Sequence, residues 1–79
     1  MVAVEVTVRF TEDGQITPLQ VVWKGQSYPI NQVGRRWQDA LGDHFLVMIP
    51  VEKVVELLFS NNESRWYLND PVRGSRSPV

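Results

Sequence analysis

The chain has 79 residues, a formal net charge of -1 and no cysteine. It is therefore one domain at most, with a core worth roughly 3 to 5 kcal/mol on its own and no means of forming a disulfide, a thiolate zinc site or a thiol nucleophile. Mild acidity with scattered charges lacks the basic footprint of a duplex DNA binder, and one histidine, His44, excludes a His-rich metal centre within a single chain.

Val2, Val4, Val6, Val8 and Phe10 alternate with Ala3, Glu5, Thr7 and Arg9, the period-two pattern of a strand with one face on a core. Glu5 and Arg9 break the hydrophobic opening, and no basic lead or cleavage site accompanies it, so no signal peptide is expected. No apolar run approaches the roughly 18 residues of a spanning helix. The expectation is a cytoplasmic protein with no membrane association. Thr11 to Gln15 forms a turn on Asp13-Gly14. A second strand runs from Pro18 to Lys24 with Leu19, Val21 and Trp23 on one face, and Lys24-Gly25-Gln26 turns the chain again.

A third strand covers Ser27 to Val33, with Tyr28 and Ile30 inward and Pro29 marking an edge or a bulge. Gly34 bends or ends it. Arg35 to Asp43 reads as a loop holding at most one helical turn, ended by Gly42. Phe45 to Ile49 is apolar on both faces, the pattern of a strand covered on both sides, and Pro50 closes it. Val51 to Phe59 admits two readings. Val51, Val54, Val55, Leu58 and Phe59 fall at helical spacing, but Val54-Val55 lowers helix propensity and the run is short. Asn61-Asn62 followed by Arg65-Trp66-Tyr67-Leu68 reads as a turn and a return strand, which favours strand, turn, strand. Residues 70 to 79 hold Pro71, Gly74 and Pro78 with little to bury, and read as a flexible tail.

The expected architecture is all-β: a single small antiparallel meander of about six strands over residues 1 to 69, barrel-like or a rolled sheet. Its expected core is Val4, Val6, Val8, Phe10, Leu19, Val21, Trp23, Tyr28, Ile30, Phe45, Val47, Ile49, Val55, Leu57 and Trp66.

Pro18, Trp23, Gly25, Tyr28, Trp37 and Phe45, then Val55-Glu56-Leu57-Leu58-Phe59 and Arg65-Trp66-Tyr67-Leu68, form a succession over about Thr7 to Asn69. It resembles a group of small uncharacterised bacterial domains with a Trp-Gly-Tyr hairpin and a closing Trp-Tyr-Leu strand. The resemblance implies an all-β domain and tips Val51 to Phe59 further towards strand. Some members are associated with gene neighbourhoods of error-prone DNA polymerases, which hints at nucleic-acid metabolism; this chain is less basic than they are. The group carries over no catalytic residue.

No Gly-x-Ser-x-Gly turn, paired-carboxylate motif or glycine-rich phosphate loop occurs. Asp43 could orient His44 as a base, and Asp39, Asp43 and His44 could hold a divalent ion weakly, but an incidental histidine in a solvated loop is the favoured reading. No catalytic residue, metal or cofactor is assigned. Arg35-Arg36-Trp37 combines two guanidinium groups with an indole, a set that contacts phosphates and stacks a base on single strands. Arg9, Lys24 and Arg65 could extend that surface if their outward positions line up. Against this, alternation would send Trp37 into the core and leave the arginines paired with Asp39, Glu12 or Glu63. Trp66 and Tyr67 must face opposite sides of their strand, one in the core and the other on the outer face, where beside Val22 or Val33 it would make an apolar patch. The expected role is non-enzymatic: a module that binds a protein partner or a second copy of itself, with Arg35, Arg36, Trp37, Arg65 and Tyr67 as candidate binding residues. The alternative is a single-stranded nucleic-acid-binding accessory of DNA metabolism.

Overall fold

The computed structural model describes residues 1–70. It is all-β, with seven strands: β1 (Val2–Phe10), β2 (Ile16–Trp23), β3 (Gln26–Pro29), β4 (Gln32–Gln38), β5 (Gly42–Ile49), β6 (Lys53–Ser60) and β7 (Arg65–Asn69). They make one sheet in the order β3-β2-β1-β7-β6-β5-β4, and every pairing is antiparallel. The sheet rolls into a half-barrel. First and last strands pair, through Val2 with Leu68 and Val4 with Trp66, so the seam falls between β3 and β4, which are consecutive in the chain yet lie at opposite edges of the sheet.

The backbone itself crosses the seam at Ile30 and Asn31. The Ile30 N–H donates to the Leu19 carbonyl on β2 at 2.9 Å, and the next residue, Asn31, donates to the Met48 carbonyl on β5 at 2.8 Å. One extended run thus leaves the β2 side as β3 and joins the β5 side as β4. The expected third strand is in fact two, and the Arg35 to Asp43 loop is mostly strand. Gln32–Gln38 pairs with β5 from Gln32 opposite Met48 to Gln38 opposite Asp43, with a bulge between Val33 and Arg36 that absorbs Gly34 and Arg35. The helical turn is replaced by a tight turn closed by reciprocal bonds between Asp39 and Gly42.

Val51 to Phe59 is strand from Lys53 onward, and its helical spacing is not used. Residues opposite one another across a ladder share a face, and on β5 and β6 Phe45 opposes Leu57 while Val47 opposes Val55. These four, with Val21, Ile49 and Leu68, are the buried core cluster. Val4, Val6, Trp23, Tyr28, Ile30 and Trp66 pack against it, as their alternation requires.

Three expected core residues lie outside that cluster: Val8 is half-buried apart from it, and two are exposed. Phe10 is 66% exposed and Leu19 is 43% exposed. The cause is a register shift after Thr7, where Thr7 opposes Gln20 and Val8 opposes Pro18. Leu19 is the extra residue of that bulge and turns out, while Pro18 takes the inward place and is fully buried. Phe10 ends a hairpin that runs past β7, whose pairing with β1 stops at Val4. Phe45 to Ile49 is covered on one side only; Leu46 and Met48 are half-buried on the outer face. Asp70, placed in the expected tail, is half-buried and paired with Lys53 at 3.0 Å; the remaining tail, 71–79, lies outside the described residues. No helix is long and apolar enough to cross a membrane among the described residues.

Candidate functional site

The chemistry-bearing side chains gather around β4, and consecutive residues of that strand serve opposite faces. On the outer face, Trp37 lies opposite His44 and stacks on it, with ring centroids 4.9 Å apart and planes within 7°. Arg35 covers the other part of the same indole, its guanidinium carbon 5.1 Å from the ring centroid. His44 is only 5% exposed. Its Nδ1 lies 2.6 Å from the Glu56 carboxylate and its Nε2 lies 2.8 Å from Asp39.

Burial alone would push the His44 imidazole down, but hydrogen bonds to Glu56 and Asp39, with their charges, outweigh it and raise its pKa. The bond to His44, with the Leu41 N–H beside it, holds the Asp39 carboxyl below the usual range. Both ring nitrogens are engaged, so the imidazole ring ties the β4–β5 turn to β5 and β6. Asp43, the expected partner of His44, takes the opposite face and accepts from Gln38 Nε2 at 2.6 Å. Asp39, Asp43 and His44 therefore do not converge, and no group that could hold a metal ion occurs among the described residues.

Gly42 makes the clamp possible. At φ 148° it begins β5 against β6, and a Cβ there would stand 2.0 Å from the Phe59 carbonyl oxygen. Only glycine lets the chain turn this close, which brings Asp39 back over His44.

On the inner side of β4, Arg36 leans over the Phe45 ring at 5.1 Å and donates to the Ile16 carbonyl at 2.9 Å. It spans a cleft of about 490 Å³ bordered by Gly14, Ile16, Arg36, Gln38, Asp43 and Phe45. This cleft is the unpaired part of the seam. β3 pairs with β2 only from Gln20 to Trp23, so Ile16 to Pro18 present a free edge on one side, and Gln32–Gln38 presents its own on the other. An arginine side chain, not a backbone ladder, joins the two.

Of the five candidate residues, Arg35, Trp37, Arg65 and Tyr67 share the outer face, through the row of Trp37 opposite His44, His44 opposite Leu58 and Leu58 opposite Tyr67. Arg36 does not join them. Tyr67 is half-buried, and its hydroxyl donates to Glu63, whose hydrogen bond raises the phenol pKa. Trp66 faces the core against Phe45 and Phe59. Trp37 is not in the core, and neither Arg35 nor Arg36 pairs with Asp39, Glu12 or Glu63; the ion pairs of the described residues are His44 with Asp39, His44 with Glu56, and Lys53 with Asp70. The His44 clamp escaped the sequence reading because chain adjacency pointed to Asp43. Strand alternation across the hairpin, which puts His44 and Glu56 on one face, was the usable signal.

Compared with protein families, curated proteins and solved structures, the chain matches none.

Proposed function

We propose that this chain is a non-enzymatic protein-interaction module, acting in the cytoplasm, that binds through the free strand edges flanking its seam. The observation that carries this reading is the pair of unpaired edges, Ile16 to Pro18 and Gln32–Gln38, facing a cleft floored by Phe45. Unpaired backbone rows are templates for an added strand, and a strand inserted here gains a ladder along β4 and backbone partners at Ile16 and the Pro18 carbonyl on the other side, Pro18 having no N–H to donate. The partner is another protein or a second copy of the chain.

Hydrogen exchange of the edge amides tests this, with the protein at rising concentration and with a pool of extended peptides of mixed charge. Slowed exchange on both edges is expected; unchanged exchange under every condition overturns the reading.

A second reading, binding of single-stranded nucleic acid, draws on Arg35 lying over Trp37 on the face that also carries Arg65 and Tyr67, and on the resemblance to bacterial domains near polymerase genes. Arg36 is turned away from that face, over Phe45 and onto the Ile16 carbonyl, which breaks up the Arg35-Arg36-Trp37 set and opposes the reading. A flat anisotropy titration with a short mixed oligonucleotide at low salt removes it.

A further inference from the structure

We infer that the occupant of the seam is an extended acidic segment of a different protein, added as a strand along β4 with neighbouring carboxylates on Arg35 and Arg36. This rests on the interaction-module reading and names its partner by chemistry.

Charge decides between partners. Arg35 and Arg36 are exposed and take no part in the ion pairs of the described residues. Each is held instead by a ring, Arg35 over Trp37 and Arg36 over Phe45, which preorganises the guanidinium at low cost in side-chain entropy. A second copy paired antiparallel through β4 would set Arg35 against Arg35, Arg35 against Arg36 or Arg36 against Arg36 in its central registers. Like charges directly opposite destabilise a ladder. A neutral strand would leave both charges unanswered. In an acidic strand, adjacent residues point to opposite faces, so a carboxylate pair meets Arg35 on the outer face and Arg36 in the cleft.

The contact Arg36 now makes is one an incoming strand replaces. Its guanidinium caps the Ile16 carbonyl at 2.9 Å, an acceptor that a backbone N–H of the added strand would take. The guanidinium then turns to the carboxylate while remaining over Phe45, and a bond to a neutral carbonyl becomes a stronger, charge-assisted one. Asp43 does not compete for it, being engaged by Gln38.

The test uses the full chain and fluorescein-labelled octapeptides of Thr and Val with a central Glu-Glu, Gln-Gln or Lys-Lys pair. Anisotropy is read at low and high salt, and hydrogen exchange is read on the edge amides. The Glu-Glu peptide is expected to bind at least tenfold more tightly than the Lys-Lys peptide, with a loss at high salt and slowed exchange at the Ile16 amide and along β4. Arg36→Ala should narrow the preference, Arg36→Glu should level it, and Arg35→Glu with Arg36→Glu should reverse it, favouring Lys-Lys. Equal binding of all three peptides overturns the inference and leaves the interaction reading standing. So does slowed edge exchange with the neutral peptide or with rising protein concentration alone. An oligonucleotide that binds where the Glu-Glu peptide does not overturns the inference in favour of phosphate. If nothing slows the edges, both fall.

Discussion

The β5–β6 ribbon and the β1–β2 hairpin are built from the same kind of alternation, yet they end differently. β5 and β6 pair without interruption from Gly42 opposite Ser60 to Ile49 opposite Lys53, and their inward residues are sealed. β1 and β2 slip register after Thr7, and their far end carries exposed Phe10 and Leu19. The ribbon has β4 on one side from Asp43 to Met48 and β7 on the other from Glu56 to Ser60. The hairpin loses β7 beyond Val4 and β3 before Gln20. Alternation gives a strand two faces; neighbouring strands decide whether the apolar one is covered. The seam, and with it the proposed binding edge, lies where that cover ends.

The largest blow to the ribbon is expected from Gly42→Ala. A Cβ 2.0 Å from the Phe59 carbonyl oxygen forces the backbones of β5 and β6 apart, and a loss of at least about 4 kcal/mol is expected in urea denaturation. Leu57→Ala, at a fully buried site between Phe45 and Leu68, should cost about 3 kcal/mol by leaving a cavity. In the hairpin, Phe10→Ala should change stability by no more than about 0.5 kcal/mol, measured the same way. A loss for Phe10→Ala equal to that for Leu57→Ala would erase the distinction between the regions.

A smaller effect belongs to the clamp that joins the ribbon to β4. The folded pKa of His44 is raised above its ordinary 6.5, so the protonated form is the one that folding favours. That contribution is complete below pH 6.5, the unfolded value, and is lost as pH rises through the folded value. Asp39, held low, acts in the opposite sense: its contribution is present above its ordinary 3.8 and fades as pH falls through the lowered folded value. Unfolding free energy measured across pH should therefore peak on the mildly acidic side, and His44→Gln should remove the decline towards alkaline pH. A decline of the same size in His44→Gln would show that other groups cause it.

By itself the sequence determined the all-β class, the core of β5 and β6 and the split of Trp66 from Tyr67, because side-chain alternation and turn chemistry are local properties. It also carried the strand character of Lys53–Ser60, where β-branched residues and the following turn outweighed a helical spacing. Tertiary structure alone decided that Arg35 to Gln38 are strand, since their pattern is polar and only the ladder with β5 holds them extended. It likewise decided that Leu19 yields its place to Pro18, because a bulge depends on the partner strand. The meeting of Asp39, His44 and Glu56, and the separation of Arg35 from Arg36 onto an outer face and a cleft, follow from cross-strand register, which links residues far apart in the chain through hydrogen bonds that no local pattern encodes.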